Sequence, residues 1–235
     1  MTKRLLALDT ATEACSAALL EDGTVIRECG ELAPRRHNLL LLGMIDSLLA
    51  EAAWQRTQLD GIAFGRGPGS FTGVRIATSV AKGLAMGLDC PLAGISTLEA
   101  MGLQMLEKYG ACQWVMPCID ARMDEVYVAA YARPAVGQQG ALLQCLLAEA
   151  VIPPQDIHMA SQPEGHWGGC GSGWERYAEG LSTALQQTPH VVEVMYPWAA
   201  TLGRLASARN VWMPAEDVHP VYLRDRVVQK PDAMR

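Results

Sequence analysis

GRGPGSFTGVRIATSVAKGLAMGLDCPLAG, Gly65 to Gly94, is the stretch whose reading decides the fold. Eight of the 22 glycines fall between Gly61 and Gly94, and the clearest start and stop signals of the chain fall there too. Gly61-Ile-Ala-Phe-Gly65 is an apolar run of strand length, Gly65 to Gly69 has the backbone freedom of a tight loop stiffened by Pro68, and Ser70 can cap a following helix. The order is strand, glycine loop, helix. From Phe71 to Leu88 apolar residues recur at helical spacing: Gly73, Ala77, Ala81 and Ala85 form one i+4 ridge, and Ser79, Gly83 and Gly87 a second beside it. A glycine inside a helix costs about 1 kcal/mol relative to alanine, so Gly73 and Gly83 imply close approach of another backbone, in this chain or in a partner.

Such a loop can also cradle phosphate on free N–H groups. Two familiar patterns are absent. A Walker loop closes on Gly-Lys-Ser/Thr, whereas Gly73 is followed by Val74 and Arg75, and the G-x-G-x-x-G spacing does not occur. A structural turn and a phosphate cradle both stay open.

Moving outward toward the N-terminus, Leu5 to Asp9, Ala14 to Leu20 and Thr24 to Glu28 read as strands, with Asp22-Gly23 turning the hairpin between the last two. His37 to Ala53 reads as a helix with Leu39, Leu40, Leu41, Leu42, Ile45, Leu48, Leu49 and Ala52, more apolar surface than one core-facing stripe requires. Beyond Gly94, Ser96 with Glu99 three residues on is a capping box that opens another helix. The first lobe, 1–110, is therefore βββαβαβα. From Trp114 the cycle restarts more weakly. Trp114 to Ile119, Val126 to Tyr131 and Leu142 to Leu147 read as strands, Pro153 to Ala160 as a short helix, and His166 to Gly169 as a further strand. Trp174 to Gln187 is a helix, Val191 to Val194 a strand and Ala199 to Ala208 a helix. The expectation is α/β with two lobes, the second smaller and degenerate over 111–210, and a tail over 211–235 that packs back on them.

The chain has 235 residues, half of them apolar and 19% charged, which suits an ordered protein with a sizeable core. A net charge of −6 repels nucleic acid, so contact with RNA is expected only through a partner. Seven scattered cysteines without a C-x-x-C pair suit a reducing compartment. The N-terminus reaches Asp9 before any signal-length apolar stretch, and no run approaches the roughly 18 apolar residues that span a bilayer. The expected location is the cytoplasm.

Asp9-Thr10 closes the first strand and Asp120 occupies the corresponding place in the second half. Acids at the mouths of two related sheets suit a phosphotransferase cleft, but Asp also favours strand-end turns with no ligand. The histidines, His37, His158, His166, His190 and His219, show neither H-E-x-x-H nor an i, i+4 pair, and no G-x-S-x-G is present. No metal or cofactor is expected.

Seven stretches taken together resemble the bacterial TsaB proteins, also called YeaZ: Leu6 to Leu19, Gly67-Pro-Gly-Ser-Phe-Thr-Gly-Val-Arg75, Ala81-Lys-Gly-Leu-Ala85, Gly94 to Ala100, Ile119-Asp-Ala-Arg122 with Glu125-Val-Tyr127, Gly171-Ser-Gly-Trp174 and Pro220-Val-Tyr-Leu-Arg224. The resemblance implies two actin-like lobes of the ASKHA or RNase H-like kind. It also implies kinship with TsaD, whose N-H-x-x-x-H pair holds a metal. Those positions correspond here to Thr97 and Met101, which cannot replace imidazole. The family implied is thus a non-catalytic scaffold in making threonylcarbamoyladenosine on tRNA, docking to a TsaD-like catalytic subunit with a TsaE-like ATPase, and forming a homodimer in isolation. The interface residues expected on the two helices are Leu41, Ile45, Leu48, Gly73, Val74, Ala77, Ala81 and Gly83. Asp9, Thr10 and Asp120 are candidates for a vestigial nucleotide site. The alternative is an ATP-dependent kinase or hydrolase using Asp9 and Asp120; a glycoprotease-type metalloprotease is more distant.

Overall fold

The structure, a computed structural model, describes residues 3–135 and 141–224. Three strands open the chain, β1 (Arg4–Asp9), β2 (Ala14–Glu21) and β3 (Thr24–Leu32), followed by helix α1 (His37–Glu51), β4 (Gly61–Gly67), α2 (Phe71–Leu88), β5 (Leu92–Ser96) and α3 (Thr97–Lys108). The second half gives β6 (Trp114–Arg122), β7 (Glu125–Ala132), β8 (Gln144–Ile152), β9 (Trp167–Cys170), α4 (Ser172–Leu185), β10 (Val191–Glu193) and α5 (Ala199–Arg209).

The first sheet runs β3-β2-β1-β4-β5, with β1 antiparallel to β2 and parallel to β4. The second runs β10-β9-β6-β7-β8, with β6 antiparallel to β7 and parallel to β9. One strand plan is therefore used twice. Helix α1 has no full counterpart in the second half, where the helix expected at Pro153 to Ala160 is a single 3-10 turn, Pro154–Asp156.

Period-two alternation explains the layers. On β1, Leu6 and Leu8 face a core shared with α1 and α2, while Leu5 and Ala7 face a second core shared with α3 and α5. Both faces are covered, so the strand reads as a continuous apolar run. On β6, Trp114, Met116 and Cys118 face α4, and Val115 and Ile119 face α3. Trp114 stacks on Trp167 at 4.3 Å between ring centroids, and Trp174 meets Trp167 edge-on at 5.6 Å. The layers run α1 and α2, first sheet, α3 and α5, second sheet, α4.

Helix α3 serves both sheets: Ala100 and Leu103 join the first-lobe core, Leu98, Met101 and Met105 the second. Helix α5 was expected in the second lobe, and it seals the first sheet, with Leu202, Leu205 and Ala206 against Leu5, Ala7 and Leu20. Its pattern fixes an apolar stripe but not which sheet that stripe covers. The Ser96 cap is half a box: Ser96 Oγ accepts from Glu99 N–H at 3.2 Å, but the Glu99 carboxylate turns to Arg209 of α5. A second ion pair, Arg66 to Glu149 at 3.0 Å, ties β4 to β8 across the lobes. Of the tail, residues 225–235 lie outside the described residues; before them, Val221 N–H donates to the Arg66 carbonyl at 3.1 Å.

Candidate functional site

The loop that decided the fold is filled by its own chain. A methyl group at Gly65 would lie 1.7 Å from Asp9 Oδ2, at Gly69 2.2 Å from the Ala11 carbonyl oxygen, and at Gly73 1.9 Å from the Thr10 carbonyl oxygen. At Gly69 and Gly73 glycine is required because the turn after β1 presses its carbonyls into the loop, and Gly65 leaves room for the Asp9 side chain. Ser70 N–H donates to the Ala11 carbonyl at 2.7 Å and Thr10 Oγ1 to the Gly73 carbonyl at 2.7 Å, so the head of α2 is tied to the turn after β1.

Asp9 and Thr10 are fully buried beneath that seal. Asp9 Oδ1 accepts from Ala11 N–H at 2.9 Å, and Oδ2 has no partner among the described residues. Burial, only partly offset by the Ala11 hydrogen bond, raises the Asp9 carboxyl to about 7. Asp120 has a different environment, taking Arg176 Nη1 at 2.9 Å and its own turn's Arg122 N–H at 2.9 Å. No hydrogen bond or ion pair among the described residues joins the two acids. A phosphate reaching Asp9 would have to displace the Gly65 to Gly73 loop. Thr97 and Met101 are both buried, with Met101 in the apolar core under the second sheet. Among the described residues no three His, Cys, Asp or Glu side chains gather as a metal set.

The surplus apolar surface of α1 and α2 is where an open face lies. Leu41, Ile45, Leu48 and Leu49 of α1 are buried against the first sheet, while Leu39 is 74% and Leu42 52% exposed. On α2 the Gly73, Val74, Ala77, Ala81 and Ala85 side packs inward, and the Ser79, Gly83, Gly87 ridge faces solvent. The expected interface set is corrected here: Leu41, Ile45, Leu48, Gly73, Val74, Ala77 and Ala81 belong to the chain's own core, and only Gly83 is exposed, with nothing within 4 Å of where a Cβ would stand. Helical periodicity identifies two stripes without saying which one faces home.

Between the two helices runs a groove with a volume of 430 Å3. Asn38, Leu41 and Leu42 line it from α1. Phe71, Thr72, Arg75, Ile76, Ser79 and Val80 line it from α2. Phe71 is 53% exposed at one end, and Met86, 72% exposed, lies further along α2. An apolar, helix-walled surface of this kind on an otherwise well-packed protein is a place for another protein to bind. Sequence reading left Leu42, Phe71 and Arg75 out of the interface set; the signals available were the surplus leucines of α1 for Leu42 and, for Arg75, its place four residues before Ser79 of the second ridge.

Two sheets repeating one strand plan, with α3 and α5 between them, define a two-lobed actin-like protein. The family model described as TsaD: tRNA N6-adenosine threonylcarbamoyltransferase matches residues 28–168. The tRNA threonylcarbamoyladenosine biosynthesis protein TsaB of Escherichia coli (strain K12) is 40% identical over 232 residues, 97% of this chain and 97% of that protein. Its namesake in Haemophilus influenzae is 37% identical over 236 residues, 96% of this chain and 95% of that one. The solved structure of YeaZ from Pseudomonas aeruginosa superposes with a TM-score of 0.83 at 41% identity, covering 94% of this chain and all of that one. The chain belongs to the TsaB family.

Proposed function

We infer that this chain takes part in threonylcarbamoyladenosine formation on tRNA as a non-catalytic docking subunit. It binds a TsaD-like catalytic subunit through the exposed side of α1 and α2, works with a TsaE-like ATPase, and self-associates through the same face when alone. The observation that carries this reading is the apolar groove flanked by Leu39, Leu42 and Phe71, an exposed surface that the chain's own packing leaves open. The names of the Escherichia coli and Haemophilus influenzae relatives, tRNA threonylcarbamoyladenosine biosynthesis proteins, support the pathway. Sealing of Asp9 and Thr10 under the glycine loop weighs against the kinase alternative, which needs them at a phosphate.

The test is gentle co-purification of the tagged full chain from its own cells, followed by mass spectrometry. A TsaD-like protein is expected as the main companion. Its absence, together with micromolar ATP binding by the isolated chain in calorimetry, would transfer the assignment to the kinase reading.

A further inference from the structure

Arg75 stands in the groove with its guanidinium caged between two rings. The Phe71 ring centroid is 3.7 Å from the guanidinium carbon and the Tyr222 ring centroid 5.8 Å from it, the two rings lying 5.8 Å apart. Arg75 Nε donates to the Tyr222 hydroxyl at 2.8 Å. Tyr222 comes from the tail, 147 residues away in sequence, and is itself held by Val221 N–H on the Arg66 carbonyl and by the Lys82 ammonium on the Val218 carbonyl. None of the ion pairs among the described residues includes Arg75. Its two terminal nitrogens donate to nothing among them.

This arrangement is economical for one purpose. Ordering an arginine side chain costs rotamer entropy, and here two rings and a hydrogen bond have ordered this one before any counter-charge arrives. The part left unsatisfied is the planar fork that matches a carboxylate. Among the described residues Arg75 is also the only charged side chain lining the groove.

We propose that Arg75 is the receptor for a carboxylate on the docking partner, an apolar helix face with an aspartate or glutamate at one end, and that Tyr222 is its positioning residue. The proposal rests on the docking reading above and names the partner's chemistry. A second copy of the chain fits less well: α2 contains no acid, and of the two on α1, Asp46 is paired with Arg56 and Glu51 sits at the opposite end of the helix from Asn38. A nucleic-acid backbone is disfavoured by the apolar lining and by the net charge of −6.

Calorimetric titration of the full chain with the TsaD-type catalytic subunit at low and high salt tests this, using Arg75→Met, Arg75→Lys, Tyr222→Phe and Leu42→Asp, each checked for an unchanged melting curve. Arg75→Met is expected to weaken docking by roughly thirtyfold or more and to flatten its salt dependence. Arg75→Lys, which keeps charge but not the fork, recovers only part of the loss. Tyr222→Phe, which keeps the ring and loses the hydroxyl, costs about three- to tenfold. If Leu42→Asp abolishes docking while Arg75→Met leaves both affinity and salt slope intact, the carboxylate proposal falls and the docking reading stands. If Leu42→Asp has no effect, both fall. An Arg75→Met effect confined to self-association in sedimentation, or to binding of labelled tRNA by the chain alone, would likewise overturn the proposal in favour of a second copy or of RNA.

Discussion

Asp9 illustrates what a strand-end carboxylate becomes when the next turn is pressed into a glycine loop. Unfolded, it titrates near the ordinary value of about 3.9; folded, burial lifts it to about 7. Between those values the native state holds a proton that the unfolded state has released. Stability therefore falls as pH rises through that window, by about 1.4 kcal/mol per pH unit at its steepest, and levels off on either side. The neighbouring Cys15 thiol, pushed up to about 12 chiefly by its own burial, stays protonated throughout and adds no slope. Asp9→Asn is neutral at every pH, so its melting temperature relative to the parent should rise between about pH 4 and about pH 7 and level off above that. Parallel curves would show that Asp9 does not titrate there. Because the docking reading gives Asp9 no phosphate to hold, the same variant should support tRNA modification within tenfold of the parent in a reconstituted assay.

On the scale of one element, α2 combines what sequence reveals with what it withholds. Its start at Ser70, its glycine loop and its two small-residue ridges were all legible, because caps and i+4 spacing are local. Which ridge faces the chain's own sheet was not, because both are equally smooth and only tertiary packing separates them. That is why Ala77 and Ala81 proved to be core residues and Gly83 a surface one. The Arg75 cage was invisible for a related reason: Tyr222 lies in a tail with little periodicity, and nothing local says what a tail touches. The exposed position of Gly83 sharpens its test. Gly83→Arg should keep the fold and raise the monomer's melting temperature slightly, since its side chain extends into open space and a helical glycine is replaced by a better helix former. On a packed helix face, however, it would hold the partner's backbone away and bury an unpaired charge. Docking and self-association should weaken by roughly a hundredfold or more in sedimentation and calorimetry. A normal dimer and normal docking would show that this face is not the interface.

For the molecule as a whole, the two lobes read in the sequence are not two independent bodies. The succession of strands along the chain was legible from alternation and turn signals, but the return of α5 to the first sheet was not, because an amphipathic helix carries no address. The consequence is energetic. The first-lobe core of Leu5, Ala7, Leu20, Ala63 and Ala93 is closed by residues more than a hundred positions later, and α3 is shared between cores. Leu202 of α5 is fully buried in that first-lobe core, so Leu202→Ala should cost about 3 kcal/mol through lost transfer energy and the cavity left behind. For a chain of this size that lowers the melting temperature by roughly 6–12 °C. The readout that matters is in the other lobe. Trp114 and Trp167 stack in the second-lobe core, remote from Leu202, and give a near-ultraviolet circular dichroism signal of their own. If the shared α3 and the Arg66–Glu149 and Glu99–Arg209 pairs make the lobes one cooperative unit, that signal and the far-ultraviolet helix signal will shift down together. Should the tryptophan signal persist to the parental temperature while part of the helix signal is lost earlier, the lobes unfold separately and the interlobe contacts contribute too little to couple them.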